Sequence, residues 1–128
     1  MKQPRDLAER CLLVARRDLV AFRGLLSLPG IADETLGFHA KQAIEKSLKA
    51  VLSLHGIPFR AVHDLQTLLD TLAEQNLPNP PHAALLDTLT PYAVLLRYEF
   101  TEERYLNRPQ VTTVVEDIYR WAENQVGR

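Results

Sequence analysis

The sequence predicts an all-α protein, a four- to five-helix up-and-down bundle, and three observations carry that expectation. Apolar residues recur at three- and four-residue steps through most of the chain. No stretch alternates apolar and polar residues as a half-buried strand would. Proline- and glycine-bearing breaks cut the pattern into pieces of helical length. With 128 residues, 46% of them hydrophobic, the chain suits a single packed domain over 1–128.

The first helix is expected from about Arg5 to Leu28. Leu7, Cys11, Leu12, Ala15, Leu19, Phe22, Leu25 and Leu26 make its apolar face, and Pro29-Gly30 stops it. After a loop from about Pro29 to Ala32, Asp33 reads as the N-cap of a second helix, with Glu34 favourable in the first turn. That helix runs to His55, and Gly56 supplies a left-handed stop. Its inner stripe is Ala40, Ala43, Ile44, Ser47, Leu48, Val51 and Leu54. Two long helices joined by a short loop make an antiparallel hairpin.

Asp64 is placed to cap a third helix carrying Leu65, Leu68, Leu69 and Leu72, which "NLPNPP" ends. A fourth helical stretch starts near His82, is kinked or restarted at Thr90-Pro91 and continues to about Tyr98. "EFTEERYLNRP" reads as irregular, and Gln110 to Gln125 as the last helix.

Charge narrows the function classes. Fifteen basic residues against sixteen acidic ones leave a net charge of −1, with no broad footprint for DNA or an anionic membrane, so any anion site must be local. No run approaches the ~18 apolar residues that span a bilayer, and "MKQPRDLAERC" lacks a signal-peptide core, so a cytoplasmic protein is expected. Cys11 is the only cysteine and reads as a buried packing residue. His63-Asp64 invites comparison with helical metal-dependent phosphohydrolases, but one His-Asp pair opening a helix is more simply a cap. No metal site, cofactor, phosphate loop or nucleophile elbow is expected.

The second helix poses the sharper question. At 100° per residue Phe38, Gln42, Glu45, Lys46, Lys49 and Ser53 gather opposite Ala43, Ser47 and Leu54, with His39 at the edge. One reading is a solvated face laced by Lys41–Glu45 and Glu45–Lys49 pairs, each worth a few tenths of a kcal/mol. The other is a binding face, favoured by Phe38 and Gln42 standing among the charges. On either reading, reversing the charges of Lys46 and Lys49 should cost only ~0.5 kcal/mol of stability.

"FHAKQAIEKSLKAVLSLHGI", then "HDLQTLL", then "YAVLLRYEF" and a closing helix resemble the HEPN family, the higher eukaryotes and prokaryotes nucleotide-binding domain, over about Ala8 to Ala122. The resemblance implies a helical bundle that is usually a homodimer. It also implies a possible nucleotide ligand and a possible minimal nucleotidyltransferase partner in a toxin–antitoxin-like pair. Some relatives are metal-independent ribonucleases with an arginine followed about one and a half helical turns later by a histidine. After Arg97 this chain reads "YEFTEER", and no histidine follows Arg97, Arg104 or Arg108. The expectation is therefore a non-ribonuclease binding protein. Its candidate ligand- or partner-binding residues are His39, Gln42, Lys46, Lys49, Arg97 and Tyr98. A metal-independent ribonuclease with an atypical active site is the alternative, and a purely structural dimeric adaptor the third class.

Overall fold

The computed structural model describes residues 3–59, 62–86 and 106–127. Four helices lie in them: α1 (Pro4–Leu26), α2 (Asp33–Leu54), α3 (Leu65–Glu74) and α4 (Arg108–Val126). A short 3-10 turn covers 83–86, and no strand occurs among the described residues. The chain is an all-α helical bundle. The expected helical stretch through Thr90-Pro91 to Tyr98, and most of the segment read as irregular, lie outside the described residues.

Local chemistry sets most boundaries. Pro4 opens α1, where its missing N–H is no loss, and the Gln3 N–H donates to the Asp6 carboxylate at 3.1 Å. The helix ends two residues before the expected Leu28: the Ser27 hydroxyl turns back to the Gly24 carbonyl at 3.0 Å, and the Leu28 N–H reaches Leu25. Gly56 stops α2 as expected. Its φ of +69° lets its own N–H meet the Ser53 carbonyl at 2.9 Å and the Ile57 N–H meet Leu52 at 3.0 Å. Asn76, at φ +58°, performs the same stop for α3, so that helix ends before the prolines are reached. Asp64 caps α3 as expected, accepting from the Thr67 N–H at 3.2 Å and the Thr67 hydroxyl at 2.8 Å.

Asp33 departs from expectation. Ala32 holds the N-cap position of α2, and Asp33 is the first helical residue. Its carboxylate accepts from the Leu106 N–H at 3.1 Å and Arg108 Nε at 2.8 Å, while Arg108 Nη2 donates to the Ile31 carbonyl at 2.8 Å. A better-placed cation and backbone donor compete for the oxygens that would otherwise cap α2. The residue expected to start one helix instead ties down the start of another. With Asn107 as its cap, α4 begins at Arg108, two residues before the expected Gln110.

Helix α2 is the centre of the bundle and packs against α1, α3 and α4, while α1 also meets α4. Its stripe of Ala40, Ala43, Ile44, Ser47, Leu48 and Val51 is buried, as expected, and Leu54 is half-buried. Leu19 and Phe22 of α1, Leu68 and Leu72 of α3, and Val115 and Ile118 of α4 close around it. Each such large side chain removed from water contributes about 1.5–3 kcal/mol before the cost of ordering the chain. Among the described residues no helix is long and apolar enough to cross a membrane.

Candidate functional site

Four-residue spacing stacks Lys41, Glu45, Lys49 and Ser53 along one line of α2. All four are buried. Two residues of the α2–α3 connection fold back over this line. Phe59 sets its ring 5.2 Å from the Lys49 ammonium, and His63 Nδ1 donates to Glu45 Oε2 at 3.0 Å. The reading of this side of α2 as a solvated face therefore does not hold. Periodicity locates the polar side of the helix, but the connection covers it.

Glu45 is the hub. Its Oε1 accepts from Lys41 at 2.6 Å, and its Oε2 accepts from Lys49 at 2.9 Å as well as from His63. The Lys46 ammonium stands 3.5 Å from the same Oε2 without forming a hydrogen bond among the described residues. Burial alone would push the Glu45 carboxyl up, because removing water penalises its charged form. Hydrogen bonds from Lys41, Lys49 and His63 outweigh that effect and hold it at about 2. The carboxylate thus stays charged at neutral pH, and its removal would leave buried ammonium groups without a counterion.

The candidate residues divide accordingly. Lys46 and Lys49 meet at the hub, but Lys49 points inward and is 6% exposed, whereas the Lys46 side chain keeps 26%. Reversing Lys49 would set a second carboxylate against Glu45 in a buried setting, so the expected cost of ~0.5 kcal/mol for the double reversal does not hold. His39 turns toward α1, donating from Nδ1 to Asp18 at 3.1 Å, and the Phe38 ring meets it edge-on at 5.4 Å. Gln42 is half-buried on α2. Arg97 and Tyr98 lie outside the described residues.

Lys41, Glu45 and His63 belong to the cluster but not to the candidate binding residues, although the Lys41–Glu45 pair itself is expected from the sequence. Lys41 had a signal, since it lies four residues before Glu45. His63 had none, because nothing in its neighbourhood says that the connection returns to α2. The His63-Asp64 pair is split: the imidazole goes to the hub and the carboxylate caps α3.

Comparison with known proteins now decides the family. The chain matches the HEPN domain over residues 8–125. It belongs to the HEPN family. No curated protein and no solved structure matches it. Membership gives this HEPN chain a nucleotide- or RNA-related function in general.

The HEPN bundle has two further features, a histidine–aspartate contact and a mainly apolar cavity. His82, in the left-handed region at φ +60°, donates from Nε2 to Asp117 at 2.8 Å and joins the turn before 83–86 to α4. A cavity of about 370 Å³ lies between the start of α1 and the end of α2, lined by Leu7, Cys11, Ser53, Ile57 and Phe59 among others. Cys11 is half-buried on its wall, 3.9 Å from the Ser53 hydroxyl, rather than a fully buried packing residue.

Proposed function

We propose that this HEPN chain is a binding subunit rather than a ribonuclease. It works beside a minimal nucleotidyltransferase in a toxin–antitoxin-like pair and holds a nucleotide or presents a substrate to that partner. One observation carries the reading. His82 is the last histidine in the chain, so neither Arg97, Arg104 nor Arg108 is followed by the imidazole that HEPN ribonuclease chemistry uses. Arginine cannot substitute, because it does not give up its proton near neutral pH, as general acid–base work requires. Arg108 is also engaged, with Asp33 and the Ile31 carbonyl as partners.

On this reading the chain is a cytoplasmic homodimer, and its binding residues are Lys46, Gln42 and His39 on α2 together with Arg97 and Tyr98. Lys49 holds Glu45 rather than the ligand. Co-expression with a minimal nucleotidyltransferase, followed by purification through a tag on either chain, should recover both. Incubation with single-stranded and structured RNA, with and without chelator, should leave the RNA intact. Cleavage that disappears with Arg97→Ala would establish the ribonuclease alternative instead.

A further inference from the structure

We propose that Lys46 and His63 form the mouth of an oxyanion site that takes the phosphate of a small phosphorylated ligand, with Glu45, Lys41 and Lys49 as its fixed electrostatic floor. The proposal rests on reading the chain as a binding subunit, and it names the ligand chemistry that reading leaves open.

The first argument is one of valence. A carboxylate oxygen has two lone pairs, and Glu45 Oε2 already receives Lys49 at 2.9 Å and His63 at 3.0 Å. Lys46, at 3.5 Å, is drawn to the same oxygen by charge but finds no lone pair to use. Among the described residues its three N–H donors are therefore available. His63 spends Nδ1 on Glu45 and has Nε2 left for a ligand, where the imidazolium form would donate.

The second argument is charge. Three ammonium groups meet one carboxylate, and among the described residues no other acid pairs with those lysines. Glu45 is fully buried, and Lys41 and Lys49 are 3% and 6% exposed, so little water is present to screen the excess. A surplus of two positive charges suits a phosphate dianion better than a carboxylate.

The third argument is access. The His63 side chain is 65% exposed and that of Lys46 26%, so these two cluster members face solvent while the others do not. Because both sit against one oxygen atom, a single phosphate group can span them. Two accessible groups on a chain of net charge −1 suit a small ligand, not an extended phosphate backbone.

Calorimetric titration of the full chain with pyrophosphate, ATP, adenosine and a short RNA tests this. Pyrophosphate and ATP should bind, more weakly as salt is raised, and adenosine should not. Lys46→Gln and His63→Gln should each weaken pyrophosphate binding by about tenfold. Lys46→Gln should melt like the parent, His63→Gln lower because it gives up the imidazole hydrogen bond to Glu45, and Arg17→Gln, on the exposed side of α1, should bind like the parent. No binding of pyrophosphate by the parent, or unaltered binding by both variants, would overturn the assignment. So would adenosine binding as tightly as ATP, or RNA binding more tightly than ATP. Association with a co-expressed nucleotidyltransferase is scored separately. Oxyanion binding without association sinks the partner reading alone, and association without oxyanion binding sinks this site alone.

Discussion

Replacing Glu45 by glutamine is the most informative perturbation of this bundle. The carboxylate is fully buried and holds Lys41 at 2.6 Å, Lys49 at 2.9 Å and His63 at 3.0 Å. An amide of the same shape removes the charge but not the volume, so packing is preserved and two buried ammonium groups lose their counterion. Breaking a buried pair in this way costs about 3–5 kcal/mol. Linkage gives an independent figure. A carboxyl near 2 in the folded chain and near 4.5 in the unfolded one contributes on the order of 3 kcal/mol. Because the folded value is the lower of the two, that contribution is complete above about pH 5 and is lost as pH falls toward 2. Urea titration at pH 7 should show Glu45→Gln less stable by about 3 kcal/mol, a large part of the 5–15 kcal/mol usual for a domain. Thermal melting should fall by roughly 10–15 °C. Between pH 5 and pH 2 the parent should lose stability more steeply than the variant. A variant within 1 kcal/mol of the parent at pH 7, with the same acid profile, would refute the claim that Glu45 is a buried, ionised hub.

Arg108→Ala removes the tie between α4 and the start of α2, and the unfolding midpoint in urea should report a loss of about 1–3 kcal/mol. Gly56→Ala meets no atom within 4 Å of the added methyl, so its cost of about 1 kcal/mol should come from the positive φ alone, read by thermal melting. Light scattering at micromolar concentration should give twice the 14.5 kDa chain mass, and a clean monomer would count against the homodimer.

How much of this was legible in sequence depends on how far apart the interacting residues lie. The stops at Gly56 and Asn76 and the cap at Asp64 are made within one turn, so local chemistry predicts the end of α2 and the start of α3 closely. The Lys41–Glu45 and Glu45–Lys49 pairs also follow from four-residue spacing. Their surroundings do not. An exposed pair and a buried one have the same sequence signature, and only the return of Phe59 and His63 makes these buried. Asp33 is harder still, because its partners lie more than 70 residues along the chain and divert it from the cap that its position suggests. Lys49 illustrates the same limit: helical geometry gives its direction on α2 correctly, yet the residue faces Phe59 rather than water.

The uneven charge count bears on why the cluster exists. A buried carboxylate with its cations is seldom the most stable filling for a helix face, and apolar side chains of similar volume often do as well or better. This bundle has apolar material in plenty beside the hub, with Leu48 and Leu52 fully buried on the same helix. Nor is a simple ion pair the whole account, since one lysine would balance Glu45. A solvated face fails for the opposite reason, because Lys41 and Lys49 are withdrawn from water. What separates the cluster from both is its gradation. Two lysines are locked to the carboxylate, and a third is held nearby at the edge of solvent, beside an exposed imidazole and without a hydrogen bond among the described residues. The locked lysines keep Glu45 ionised, and Glu45 in turn fixes where the third ammonium can stand. A purely structural cluster has no use for that last group, whereas a site awaiting an anion requires it.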